Sequence, residues 1–134
     1  IMREAEDSFY LVSAGANLRL DHDWIKKWMP NEGVTFEDLT NSTGLLVVAG
    51  PKSRELLEKI STDDFSNENF KWLTAQEVNI GYAPVNAMRV NFVGELGWEL
   101  HHPVEYQNHC RQCCVAQSHK FCCFDKGRLA RKGD

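Results

Sequence analysis

Seven consecutive residues, Gly44-Leu-Leu-Val-Val-Ala-Gly50, carry no polar side chain. A short apolar run closed by turn residues suits a buried strand. The apolar, aromatic-rich stretch Phe9 to Ser13 (FYLVS), closed by Ala14-Gly15, predicts another strand. Between them Leu18, Leu20, Trp24, Ile25, Trp28 and Met29 recur at helical spacing, with Asp21 and Asp23 early and Lys26 and Lys27 late, as the helix dipole favours. Pro30 and Gly33 end that helix, predicted over 17–29. Val34 to Thr40 alternates with period two, so 34–40 and 44–50 are expected to form a hairpin. Pro51 then opens a helix over 51–60 with Leu56, Leu57 and Ile60 on one face. Residues 61–77 are polar with isolated aromatics and predict a loop with one helical turn at most. Val78 to Val93 divides into two strands near Gly81 to Pro84, and after the turn Gly94-Glu95-Leu96-Gly97 the segment Trp98 to His101 returns as their partner. A further helix can start at Pro103. Antiparallel pairs with intervening helices indicate an α+β fold, an antiparallel-rich sheet with packed helices, expected to run as one sheet through residues 9–102.

The length of 134 residues allows one core, and 43% hydrophobic with 25% charged residues exclude collagen-like, low-complexity and wholly disordered chains. The sequence has no apolar run long enough to span a membrane and does not open on an export signal, so the expectation is a protein with no membrane partner, cytoplasmic, or in the mitochondrial matrix if eukaryotic. Charge changes the picture near the end. Residues 1–107 hold nine Lys/Arg against seventeen Asp/Glu, net −8, and residues 108–134 hold six against two, net +4. An acidic body argues against nucleic acid as a partner, since phosphate neutralisation needs clustered positive charge. All five cysteines also fall between Cys110 and Cys123, which excludes a body stapled by disulfides.

Three segments in order, FYLVSAGAN, GLLVVAGPKSRELLEKI and RVNFVGELGWELH, resemble the folate-binding aminomethyltransferase family over roughly residues 5–105. That family contains the T-protein of the glycine cleavage system and the C-terminal domains of dimethylglycine and sarcosine dehydrogenases, and GELGWEL looks most like the dehydrogenase branch. The resemblance implies tetrahydrofolate as cofactor, one-carbon transfer from an aminomethyl donor or small methylated amine, and a fragment of an α+β folate-binding domain. It implies that Glu95 contacts the polar edge of the pteridine, where a fixed carboxylate can accept from ring N–H and amino donors. Arg89 matches a position where the family often has arginine. Leu11 matches an apolar wall, and Ser13 stands where T-proteins often have asparagine. Read without the family, Glu95 is a solvated hairpin residue, Arg89 a sheet-surface cation, Trp98 core, and Glu99 a solvated strand carboxylate.

The family's catalytic acidic residue lies just ahead of the FYLVS-like strand, and no matching motif stands there, so no catalytic residue is assigned and the chain alone is expected to be inactive. Without a GxGxxG motif, any FAD is expected on another part of a parent protein. Residues 108–134 depart from the family through cysteine onset, charge reversal and loss of the helical pattern. This segment is expected to be disordered or foreign sequence, leaving 1–107 as the partial domain. Two alternatives stay open: a non-catalytic interaction or regulatory domain of the same fold, and a zinc-binding module from Cys110, Cys113 and Cys122 or Cys123 with His109 or His119. The sequence leaves the oligomeric state unspecified.

Overall fold

The computed structural model describes residues 1–90, 92 and 94–117, and the backbone of 122–125. The chain divides into two compact units, Ile1–Leu39 and Thr40–Asp134.

In the second unit the apolar run becomes strand β3 (Thr43–Ala49), with Gly44, Leu46 and Val48 buried and the alternate residues half-buried. Both its edges are occupied. On one side all seven of its residues pair antiparallel with β6 (Gly97–Pro103), from Thr43 with Pro103 to Ala49 with Gly97. On the other it pairs antiparallel with β7 (Cys122–Asp125). β4 (Ala75–Ile80) and β5 (Ala83–Met88) form a hairpin about Gly81-Tyr82, and β5 pairs with β6, giving the order β4-β5-β6-β3-β7. β6 is central, and its residues from Gly97 to His102 are all buried.

Register then decides which side chains share a face. Leu46 lies opposite Leu100, Val48 opposite Trp98, and Leu100 in turn opposite Ala87. These residues, with Val78, Ile80, Ala83 and Val85, make one apolar layer. Helix α2 (Ser53–Ile60) adds Leu56 and Leu57, and the loop before β4 adds Phe65 and Phe70. Helix α3 (Gln107–Gln117) adds Cys110 and Cys114, fully buried. Phe65 and Phe70 stack at 5.7 Å between ring centres and both present edges to Trp98, at 5.7 and 6.0 Å.

The first unit holds β1 (Met2–Arg3) paired antiparallel with β2 (Phe9–Tyr10), then helix α1 (Leu18–Trp28). Asp21 stands in the first turn of α1 and Lys26 and Lys27 in the last, the arrangement the dipole favours. None of its residues is buried.

Four sequence expectations need correction. The FYLVS strand is two residues long and belongs to its own two-stranded sheet, because Leu11 and Val12 stay about half exposed and a 3-10 turn begins at Gly15. The expectation of one sheet through 9–102 fails with it. Val34 to Leu39 forms no strand, so the 34–50 hairpin is absent: β3 takes its two neighbours from β6 and β7. The helical pattern does not lapse after residue 107, since α3 runs across that point with Cys110 and Cys114, four residues apart, as its core face.

Candidate functional site

Arg89 follows β5 directly, and its backbone is held on both sides: its N–H donates to Thr74 O at 2.9 Å and its carbonyl accepts from Leu73 N at 3.2 Å. One Nη donates to the Phe70 carbonyl and the other to Asn67 Oδ1 at 2.7 Å. The guanidinium also lies over the Trp98 ring, 5.5 Å from its centre. Arg54, from α2, reaches the same ring at 5.8 Å, donating from Nε to Phe65 O and from Nη2 to Asn67 Oδ1, both at 2.7 Å. Burial first, and the neighbouring charge of Arg54 second, hold the Arg89 guanidinium below its ordinary pKa. Arg89 Nε and Trp98 Nε1 are buried without a hydrogen-bond partner among the described residues.

Glu95 is exposed in the turn that enters β6. That turn is fixed to the loop between β3 and α2, because Leu96 O accepts from Gly50 N at 2.8 Å and from Ser53 Oγ at 3.0 Å. Gly94 and Gly50, at φ 75° and 128°, occupy conformations that a side chain would strain. A Cβ on Gly50 would lie 3.8 Å from Glu95 Oε2, so the carboxylate stands above that loop. Arg89 and Glu95 thus flank one connection, between β5 and β6. Leu11 and Ser13 lie in the first unit, both exposed.

Glu99 is not the solvated carboxylate expected from sequence. It is 9% exposed, and its Oε2 lies 3.2 Å from Nε2 of His101, itself 6% exposed. Side chains two apart on a strand share a face, and this pair shares one opposite Trp98, Leu100 and His102. His102 is held by Leu100 O at Nδ1, 3.0 Å, and Gln107 Oε1 at Nε2, 2.8 Å. The period-two pattern Glu99-x-His101 was the available signal for the pair, masked by the expectation that charge faces water.

Of the zinc candidates, Cys110 faces the core and burial pushes its thiol up to about 11. Cys113 Sγ lies 3.6 Å from His109 Nε2, and that nitrogen is also 3.1 Å from Ile80 O. His119 and the side chains of Cys122 and Cys123 lie outside the described residues. Among the described residues no three His, Cys, Asp or Glu side chains are grouped to hold a metal ion. None of their helices is long and apolar enough to cross a membrane.

Residues 1–133 match the family described as GCVT N-terminal domain. The chain is 33% identical over 104 residues to human mitochondrial dimethylglycine dehydrogenase, covering 76% of this chain and 12% of that protein. It is 38% identical over 101 residues to mouse mitochondrial sarcosine dehydrogenase, covering 72% of the chain and 11% of the relative. An aminomethyltransferase from Shouchella clausii is 34% identical over 101 residues, 75% of this chain and 27% of that enzyme. The chain therefore spans a small part of these relatives' length.

Proposed function

Because the chain belongs to the GCVT N-terminal domain family, we propose that it supplies part of a tetrahydrofolate site for one-carbon transfer, within a parent resembling an aminomethyltransferase or a demethylating dehydrogenase. One observation carries this reading: the turn bearing Glu95 is doubly anchored through Leu96 O, so an exposed carboxylate is presented from a fixed backbone. A pterin edge offers an amino group and a ring N–H, and a fixed carboxylate can accept from both without an ordering cost on the protein side. Arg89 enters the proposal at the root of the same connection, holding the end of β5 against Phe70 and Asn67. Leu11 as an apolar wall and Ser13 as a hydroxyl contact stay with the first unit, as folate contacts that the family resemblance alone implies. The methylated amine or aminomethyl donor, and any flavin, would be handled by segments of the parent beyond these residues. The cytoplasm, or the mitochondrial matrix if eukaryotic, would be its compartment, and the names of the dehydrogenase relatives call those proteins mitochondrial.

In this reading the chain alone has no turnover, since a folate channel needs walls that 134 residues of a much longer relative do not supply. Formation of methylenetetrahydrofolate by the isolated chain above the uncatalysed rate would overturn that part. The test of Glu95 uses the intact parent and isothermal titration with tetrahydrofolate. Glu95→Gln places a donor where a charged acceptor stood and should weaken binding by about 1.5–3 kcal/mol, roughly ten- to a hundredfold. Glu77→Gln, at an exposed position of β4, is the control and should leave affinity unchanged. Equal dissociation constants for wild type and Glu95→Gln would make Glu95 a solvated turn residue.

A further inference from the structure

We infer that Arg54 and Arg89 form a small-oxyanion site, taking a carboxylate or phosphate group beside Asn67. The reading stands on an imbalance of charge. Both guanidinium groups donate to one neutral oxygen, Asn67 Oδ1, each at 2.7 Å. Their other acceptors are the carbonyls of Phe65 and Phe70, also neutral. Two like charges that share an acceptor atom repel each other, and a carboxylate in the same position would remove that cost.

The nearest loop holds three acids: Glu68, next to Asn67, is exposed and makes no ion pair with either arginine among the described residues, and Asp63 and Asp64 are committed elsewhere. Asp63 Oδ2 accepts from Ser61 Oγ at 3.0 Å and from Asn79 N at 2.8 Å. Asp64 accepts from Ser66 N at 2.7 Å and from the Asn69 amide, bonds that lower its pKa and hold it charged in place. Among the described residues neither arginine is paired with a carboxylate. Both arginines retain N–H donors, since Arg54 uses Nε and one Nη only and each Nη of Arg89 donates once, whereas Arg89 Nε is buried. The flat face of Trp98 orients both groups from beneath. Asn67 is exposed and the arginines are half-buried, so the cluster is reachable from solvent. Oriented guanidinium groups with spare N–H donors and no carboxylate partner favour a planar or tetrahedral oxyanion.

The test needs no folate and does not depend on the role given to Glu95. The 134-residue chain is melted in sodium phosphate, in sodium glutarate and in sodium chloride at matched ionic strength. Binding to the folded state should raise Tm by about 2–5 °C over chloride in the anion that fits. A response to phosphate alone identifies a phosphate ligand, and a response to glutarate alone a carboxylate ligand. Asn67→Asp builds the counter-charge in, so it should raise Tm in chloride and abolish the anion response. Arg54→Gln should abolish the response without that rise. Equal melting of the wild type in all three salts would overturn the proposal, and so would an anion response retained in Asn67→Asp.

Discussion

Trp24 and Trp98 are the same side chain with opposite surroundings. Trp98 sits on the central strand with 0% exposure, edged by two phenylalanine rings and covered by two guanidinium groups. Trp24 sits on α1 at 64% exposure, touching the Trp28 ring and the Lys27 ammonium. The units around them differ likewise: the second has a core of residues at or near zero exposure, and the first has no buried residue. Apolar periodicity is present in both. What differs is the surface available to bury it. A five-stranded sheet gives each core side chain neighbours from adjacent strands, whereas one helix and a two-residue strand pair give an apolar stripe little to pack against.

The sharpest way to break this comparison is truncation at its buried end. Trp98→Ala removes the residue on which Phe65, Phe70, Arg54 and Arg89 all rest, and should cost about 3–5 kcal/mol in urea unfolding. A loss below 1 kcal/mol would mean that this core is not what holds the second unit together.

The face of the sheet opposite Trp98 supplies the next test. Glu99→Gln leaves His101 beside an amide in place of a carboxylate, in a position with little access to water. The expected cost is about 1–3 kcal/mol. An unchanged urea midpoint would show that the pair contributes nothing net, as replacement of buried ion pairs can do.

Glycines sharpen the contrast at smaller scale. Gly81 turns the β4–β5 hairpin at φ 60°, and a Cβ there would come within 2.6 Å of His109 Nε2. That ring is stacked on Tyr82 at 3.6 Å and bonded to Ile80 O, so it cannot easily withdraw. Gly81→Ala should therefore cost about 1–2 kcal/mol from backbone strain alone, with the contact adding to it. Gly15, in the first unit, has no neighbour within 4 Å of its Cβ position, and Gly15→Ala should change stability by no more than about 0.5 kcal/mol. Similar costs at the two glycines would erase the distinction.

The same contrast explains what the sequence made legible. β3, α2, the β4–β5 hairpin and β6 were readable because period, turn residues and burial agree there: Gly44 to Ala49 is apolar and paired on both edges, and Gly81 and Gly94 have positive φ at the turns. Val34 to Thr40 misled because alternation reports only that a strand could form, while pairing depends on a free neighbouring edge, and β3 had none left. Cysteine misled in the other direction. Cys110 read as a possible metal ligand, and both Cys110 and Cys114 as part of a departing tail, yet a thiol is a small apolar group and here fills a helix's core face. At the candidate site, Glu95 and Arg89 were named only through the resemblance to the family, and their contact with folate stays a proposal. The Arg54–Asn67 partnership was not legible, since it joins residues thirteen apart through a loop with no periodic signal.

The smallest expected effect lies at the exposed tryptophan. Trp24→Ala would forfeit a tilted ring contact with Trp28 at 5.6 Å and an ammonium 5.8 Å from its ring centre. At a solvated surface those two contacts are worth about 0.5–1 kcal/mol together. Against this, alanine is the better helix former by about 0.5 kcal/mol, because an aromatic side chain loses rotamer freedom against the preceding turn. No cavity opens, since the side chain is not enclosed. The terms nearly cancel, so the urea midpoint of the 134-residue chain should move by less than about 0.5 kcal/mol equivalent. A loss above 2 kcal/mol, comparable with truncation of a core residue, would mean that α1 is stabilised by burial of its aromatic stripe, and the difference drawn between Trp24 and Trp98 would no longer hold.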